Sequence, residues 1–195
     1  MAIPREPFSE TSELGLRRDY TRAPQISKAY LVGILHDATE RHNTFRISQK
    51  SSKFVQMVAN GIRSLGGNAW TYKEGSSRKV YIVEFSKSFL KDFEIVSKRD
   101  KIDYIQGYFD TDGGVAKSSK VRFYIYFAQK DFSDLQQVRN YLMEMNIDCG
   151  VIHNPSKRID PNYWRFFVKA KSYVDFVQKI GSRHPEKAKY LWMKI

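Results

Sequence analysis

The chain has 195 residues, with 33 Lys+Arg against 21 Asp+Glu, and so carries a formal charge of +12. That excess points to a polyanionic partner, and hydrophobic residues at 42% with aromatics at 14% supply one sizeable core or two small ones, which excludes a disordered basic tail. No apolar run approaches the roughly 18 residues that span a bilayer, and the polar, proline-punctuated start lacks the apolar stretch of a signal peptide. The single cysteine, Cys149, makes neither an internal disulfide nor a thiolate zinc site and reads as a small core residue. These features fit a soluble, intracellular protein without membrane contact, cytoplasmic if its host is prokaryotic.

Residues 1–25 carry Pro4, Pro7 and Pro24 and no clear period, the pattern of an extended arm. Its Arg17, Arg18 and Arg22 read as solvated surface charges. Beyond it the chain repeats itself. Phe45-Arg46-Ile47-Ser48-Gln49-Lys50 returns as Ile125-Tyr126-Phe127-Ala128-Gln129-Lys130, an offset of 80, and the same offset pairs Val55 with Leu135, Val58 with Val138, Ile62 with Leu142 and Leu65 with Met145. Those apolar positions have helical spacing in both copies. A short apolar segment holding one glycine precedes each copy, Ala29 to Leu35 around Gly33 and Tyr104 to Phe109 around Gly107.

Periodicity predicts helices near 27–36, 51–65 and 87–93 in the first copy, with strands near 44–49, 69–73 and 80–85 and a very short strand after Asp37. In the second copy it predicts helices near 101–111, 132–145 and 172–180, and strands near 115–117, 121–129, 150–153 and 163–169. Gly66-Gly67, Glu74-Gly75-Ser76-Ser77, Gly113-Gly114 and Asn154-Pro155-Ser156 supply the turns.

Both glycine helices end in carboxylates, Asp37 in the first and Asp110 and Asp112 in the second. A helix C-terminus already carries partial negative charge, so acids at both equivalent ends imply a compensating cation. Packing through Gly33 and Gly107, where no side chain holds the backbones apart, brings those ends together as an oxygen-rich site suited to Mg²⁺. One aspartate alone would read as the cap of the turn before Gly113-Gly114.

The strand over 121–129 alternates, with Phe123, Ile125 and Phe127 on one side and Arg122, Tyr124 and Tyr126 on the other. Thr44, Arg46 and Ser48 form the matching polar face in the first copy, and Tyr163, Arg165, Phe167 and Lys169 a further basic-aromatic face. A solvated face is the default for an antiparallel sheet, but the chain's charge favours faces that read base edges in the major groove of DNA.

Leu31-Val32-Gly33-Ile34-Leu35-His36-Asp37-Ala38-Thr39 and Tyr104-Ile105-Gln106-Gly107-Tyr108-Phe109-Asp110-Thr111-Asp112-Gly113-Gly114 resemble the two motifs of the LAGLIDADG homing endonucleases in their single-chain form. The resemblance implies an α+β fold of two pseudo-symmetric αββαββα halves, 26–98 and 99–195, whose antiparallel sheets form a DNA-binding saddle around two central motif helices. It implies a monomeric, site-specific endonuclease that hydrolyses double-stranded DNA with Mg²⁺ or Mn²⁺ and is encoded by a mobile element. The family's last motif acid, a metal ligand, corresponds to Asp112. In the first motif the count from Gly33 lands on Ala38, one residue past Asp37, so Asp37 takes the role with His36 and Glu40 as alternatives. The family's Gln-Lys pair corresponds to Gln49-Lys50 and Gln129-Lys130, where Gln holds a water and Lys offsets charge on the transition state. Lys98, Lys101, Lys187 and Lys189 compete for a further basic role. The sheet contacts to DNA fall to Arg46, Ser48, Arg122, Tyr124, Tyr126, Arg165 and Lys169. The alternative is a non-cleaving binder on the same scaffold, such as an intron-splicing maturase that holds intron RNA.

Overall fold

The computed structural model describes residues 25–118 and 120–192. The expected arm, with Arg17, Arg18 and Arg22, lies outside the described residues apart from Gln25. Ser27 caps the first helix by accepting the Tyr30 amide at 3.2 Å. That helix, α1 (Lys28–Ile34), tightens into a 3-10 turn over Leu35–Asp37. There follow β1 (Ala38–Glu40), β2 (Thr44–Gln49), α2 (Ser52–Ser64), β3 (Ala69–Lys73) and β4 (Tyr81–Ser86). The strands form one antiparallel sheet in the order β1-β2-β4-β3. A capping box of Ser97 and Asp100 opens α3 (Lys98–Asp112). The second round is β5 (Gly113–Val115), β6 (Ile125–Gln129), α4 (Phe132–Glu144), β7 (Trp164–Phe167), α5 (Tyr173–Lys179) and α6 (Pro185–Trp192). Its sheet runs β5-β6-β7.

The duplication is visible in the boundaries, since α2 and α4 begin and end at the offset seen in the sequence repeat (52 to 132, 64 to 144). The motif helices are offset by less, from Gly33 to Gly107. Most of the difference lies in the first hairpin, where only positions 41–43 join β1 to β2 whereas 116–124 join β5 to β6, and one further residue is missing between Gly33 and β1. The division at 98/99 falls at the first residue of α3.

Each half has its own core. Leu31, Ile34, Ile47, Phe54, Val58, Ile62, Val83 and Phe85 fill the first. Ile105, Phe109, Ile125, Phe127, Leu135, Val138, Leu142 and Phe166 fill the second, and Val32 packs against both. The halves meet where α1 crosses α3. A Cβ on Gly33 would lie 2.1 Å from the Tyr104 carbonyl oxygen, and one on Gly107 would lie 2.1 Å from that of Tyr30. Backbone meets backbone at both points, which only glycine permits. No helix among the described residues is long and apolar enough to cross a membrane.

Several predicted elements require correction. The helix expected at 87–93 is only a 3-10 turn at Lys87–Phe89, too short to complete an α turn. The strand expected at 121–129 begins at Ile125 because β5 offers only three partners, which leaves Arg122 and Phe123 off the ladder. The strand expected at 150–153 reduces to isolated bridges, Cys149 with Val168 and His153 with Arg165. The pairing expected at 115–117 lies at 113–115 instead, α3 starts at Lys98 rather than 101, and α6 had no counterpart among the predicted elements.

Candidate active site and nucleic-acid interface

The two motif helices deliver Asp37 and Asp112 to equivalent places by different routes. In the sheets, Ala38 pairs with Ile47 and Gly113 with Phe127. Ile47 and Phe127 are themselves repeat equivalents, so Asp37 and Asp112 each directly precede an equivalent strand position. Between the glycine contact and that strand the first helix tightens over Leu35–Asp37, whereas the second continues as α-helix through 109–112. Three residues of 3-10 helix rise about 3 × 2.0 Å and four of α-helix about 4 × 1.5 Å, the same ~6 Å. The tighter turn absorbs the missing residue.

Electrostatics ties the two acids together. Burial and then the Asp37 charge raise the Asp112 carboxyl to about 7, and burial raises Asp37, opposed by its hydrogen bond from Gln49. Asp112 therefore keeps its proton to near neutrality, chiefly through burial and further through the Asp37 charge, as a carboxylate near another does. Gln49 Nε2 donates to Asp37 Oδ2 at 2.7 Å, and Thr111 Oγ1 lies 3.3 Å from Asp112 Oδ2. A hard divalent cation fits two such carboxylates, since it supplies the charge that their proximity demands.

Asp110 is a different kind of acid. It is 1% exposed and accepts from Tyr30 Oη at 2.7 Å, the Arg183 amide at 2.9 Å, the His184 amide at 3.2 Å and the Ser182 hydroxyl. With its oxygens so occupied it locks the helix pair and leaves Asp112 as the acid open to a ligand. Its counterpart in the first motif, three positions past the glycine, is His36. Tyr104 is likewise the counterpart of Tyr30, and its hydroxyl meets His36 Nε2 at 2.8 Å, while Asp134 holds His36 Nδ1 at 3.0 Å. Both ring nitrogens are engaged. Glu40 pairs with Lys87 at 2.6 Å, so neither alternative to Asp37 is free for the acid pair. The crossed tyrosines had a sequence signal, standing three positions before each glycine.

Among the competing lysines, Lys187 of α6 is the one at the site. Its Nζ donates to the carbonyls of Phe109, Asp110 and Gly113 at 2.7, 2.8 and 2.6 Å, and so caps the C-terminus of α3 with positive charge. Burial lowers its ammonium to about 8. Lys98 stands at the opposite end of α3, and Lys101 pairs with Glu144 at 2.6 Å. Gln129 departs from its twin, since its Nε2 reaches the His36 carbonyl at 3.5 Å rather than Asp112. Lys50 and Lys130 are exposed; Lys50 lines a cleft shared with Ser48, Gln49, Thr111, Lys117 and Lys187.

Residues 100–181 match the family model of the LAGLIDADG-like domain. The structure of the homing endonuclease I-DmoI in complex with DNA and Mn superimposes with a TM-score of 0.60 at 18% identity, covering 80% of this chain and 97% of that one. I-DmoI with DNA and Ca gives 0.63 at 16% identity over 85% and 96%. The fold is that of the LAGLIDADG proteins. The N-terminal LAGLIDADG domain of DUF199/WhiA shares it, with a TM-score of 0.63 at 20% identity over 82% and 86% of the two chains. No curated protein matches the sequence.

The outer faces of the two sheets differ in chemistry. In the first, Arg46, Glu84 and Trp70 are cross-strand partners; Arg46 is tied to Glu74, while Glu84 accepts from Thr44 at 2.6 Å and from Tyr72 at 2.9 Å. Trp70 and Tyr72 remain exposed at 53% and 43%, aromatics to which the sequence patterning assigns no role. In the second sheet, the Arg165 guanidinium lies 4.9 Å from the Phe167 ring centroid and 5.7 Å from that of Tyr126. Its buried Nε has no hydrogen-bond partner among the described residues. Tyr124 and Lys169 are exposed beside it, and Ser48 lies with the cleft.

Proposed function

We propose that this protein is a site-specific endonuclease that lays double-stranded DNA across both sheets as a monomer and hydrolyses one phosphodiester on each strand. The observation that carries this reading is that the crossed motif helices end in Asp37 and Asp112, near enough for the Asp37 charge to raise the Asp112 carboxyl, although a helix C-terminus disfavours negative charge. A fold alone does not carry an activity, and DUF199/WhiA has this one too; the acid pair is what favours cleavage over simple binding.

Asp37 and Asp112 would hold Mg²⁺ or Mn²⁺, which supplies Lewis acidity toward a phosphate oxygen. This chain's other residues prepare the site. Gln49 fixes the Asp37 carboxylate and keeps its own amide oxygen available to orient a water. Lys50 and Lys130 place positive charge where the phosphate would gain negative charge. Lys187 neutralises the end of α3 and so lowers the repulsion that phosphate would meet. The test is selection of cleavable sites from a randomised duplex library with Mg²⁺. Recovery of one preferred site, cut with Mg²⁺ or Mn²⁺, bound without turnover in Ca²⁺ and untouched in excess chelator, is expected. Tight, sequence-preferring binding with no cut in any metal would move the assignment to the non-cleaving binder, with intron RNA as the next ligand to try.

A further inference from the structure

At the end of the second sheet lies a cavity of about 410 Å³ whose lining includes Arg122, Phe123, Tyr124, Phe167, Lys169 and Tyr173. It sits away from the acid pair. None of its lining residues lines the cleft that holds Gln49, Thr111 and Lys187. The volume lies at the small end of ligand pockets.

The lining is specific in kind. Its four rings form two perpendicular pairs, Phe123 with Tyr173 at 5.0 Å and 90°, and Tyr124 with Phe167 at 6.2 Å and 84°. The Tyr173 hydroxyl donates to the Phe123 carbonyl at 3.2 Å, which holds the outer wall on α5. Arg122 and Lys169 are exposed, and neither is in an ion pair among the described residues. Ring walls suit a flat aromatic ligand, and unpaired cations suit phosphates on either side of it. A nucleotide joins those two chemistries in one molecule. An aliphatic ligand would gain nothing from the cations, and an inorganic anion nothing from the rings.

We propose that this cavity takes up the base of one unpaired nucleotide in the bound DNA, stacked on the rings while Arg122 and Lys169 hold its flanking phosphates. The proposal rests on the reading that this sheet lies against DNA. A paired base would first have to leave its stack, whereas a bulged base pays little to do so. Gly150 also lines the cavity, and a Cβ there would meet nothing nearer than the Phe167 carbonyl at 3.5 Å. Gly150→Leu therefore fills cavity space without removing a charge or a ring.

The experiment measures binding of the full chain in Ca²⁺ to a perfect duplex and to a set in which a single 2-aminopurine bulge is moved along one arm. One bulge position is expected to bind roughly 5- to 100-fold tighter than the perfect duplex, the range for stacking one base on an aromatic ring, with a change in 2-aminopurine fluorescence. Gly150→Leu and Tyr124→Leu should each abolish the gain while perfect-duplex affinity in Gly150→Leu stays within about twofold. Equal affinity for all duplexes, with the perfect duplex still bound, overturns the pocket alone. Failure to bind any duplex overturns the DNA reading with it. Free 2-aminopurine nucleotide producing the same fluorescence change would overturn the DNA-borne source in favour of a free-nucleotide site.

Discussion

Replacing Asp112 by Asn should make the metal-free protein more stable while destroying its cleavage. The carboxyl is held at about 7 in the folded state against about 3.9 for an ordinary aspartate. Between those values the folded state binds more protons than the unfolded one, so stability falls as pH rises through that window, and the full cost is present above about pH 7. A shift of about three units has a ceiling of ~4 kcal/mol. Part of that belongs to the interaction with Asp37, and solvent screens a half-buried site, so a gain of about 1–2 kcal/mol is expected for Asp112→Asn. The assay is urea unfolding in chelator from about pH 5 to about pH 7.5. The difference between variant and wild type should be about a third of its full value at the acid end and grow toward neutrality. His184, whose imidazole burial lowers to about 4, slopes the other way in both proteins and drops out of that difference. Added Mg²⁺ should stabilise the wild type only. A variant less stable than wild type at neutral pH without metal, or a difference independent of pH, would refute the shared-charge argument.

Asp37→Asn should abolish cutting as completely as Asp112→Asn, whereas Glu40→Gln should leave it within a few fold; nicked and linear products of a supercoiled target separate the two strands, and wild-type cutting by Asp37→Asn would end the assignment of Asp37. Gly107→Ala forces a Cβ against the Tyr30 carbonyl and should cost about 3 kcal/mol or more in chemical unfolding; an unchanged midpoint would show that the helices can part at no cost. Cys149 is 5% exposed, and burial pushes its thiol up to about 12, so iodoacetamide should label it only after denaturation. Stoichiometric labelling of the native protein would contradict its place in the core.

Much of the architecture was legible because it is written in periodicity. The repeat offset fixed α2 and α4, and the alternation of Phe45 and Ile47 fixed β2, since both patterns report one-sided burial that no other fold of those segments would provide. That Asp112 ends the second motif helix was legible from motif spacing. What escaped was set by partners far away in sequence. The strand at 150–153 lost its ladder for want of a continuous neighbour. Arg46 has the sequence pattern of a DNA contact, although Glu74, just past the end of β3, already holds it. The choice of Lys187 over Lys98, Lys101 and Lys189 depended on where α6 docks, which no local pattern encodes. The tyrosines three positions before each glycine were visible, but their crossed pairing, Tyr30 with Asp110 and Tyr104 with His36, could be read only once the helices were known to cross at the glycines.

The 3-10 turn at Leu35–Asp37 has a consequence for how such proteins are recognised at all. Pattern matching counts residues, whereas chemistry depends on where an oxygen atom ends up in space, and a tightened helix separates the two. A search that steps a fixed number of positions from Gly33 scores alanine, although Asp37 directly precedes the strand position equivalent to the one after Asp112. The family model aligns to 100–181, the half in which the count and the distance still agree. Any chain of this fold that has lost or gained one residue at this helix end would be misaligned by the same arithmetic, and measuring the rise from the crossing glycine to the first strand would restore the register.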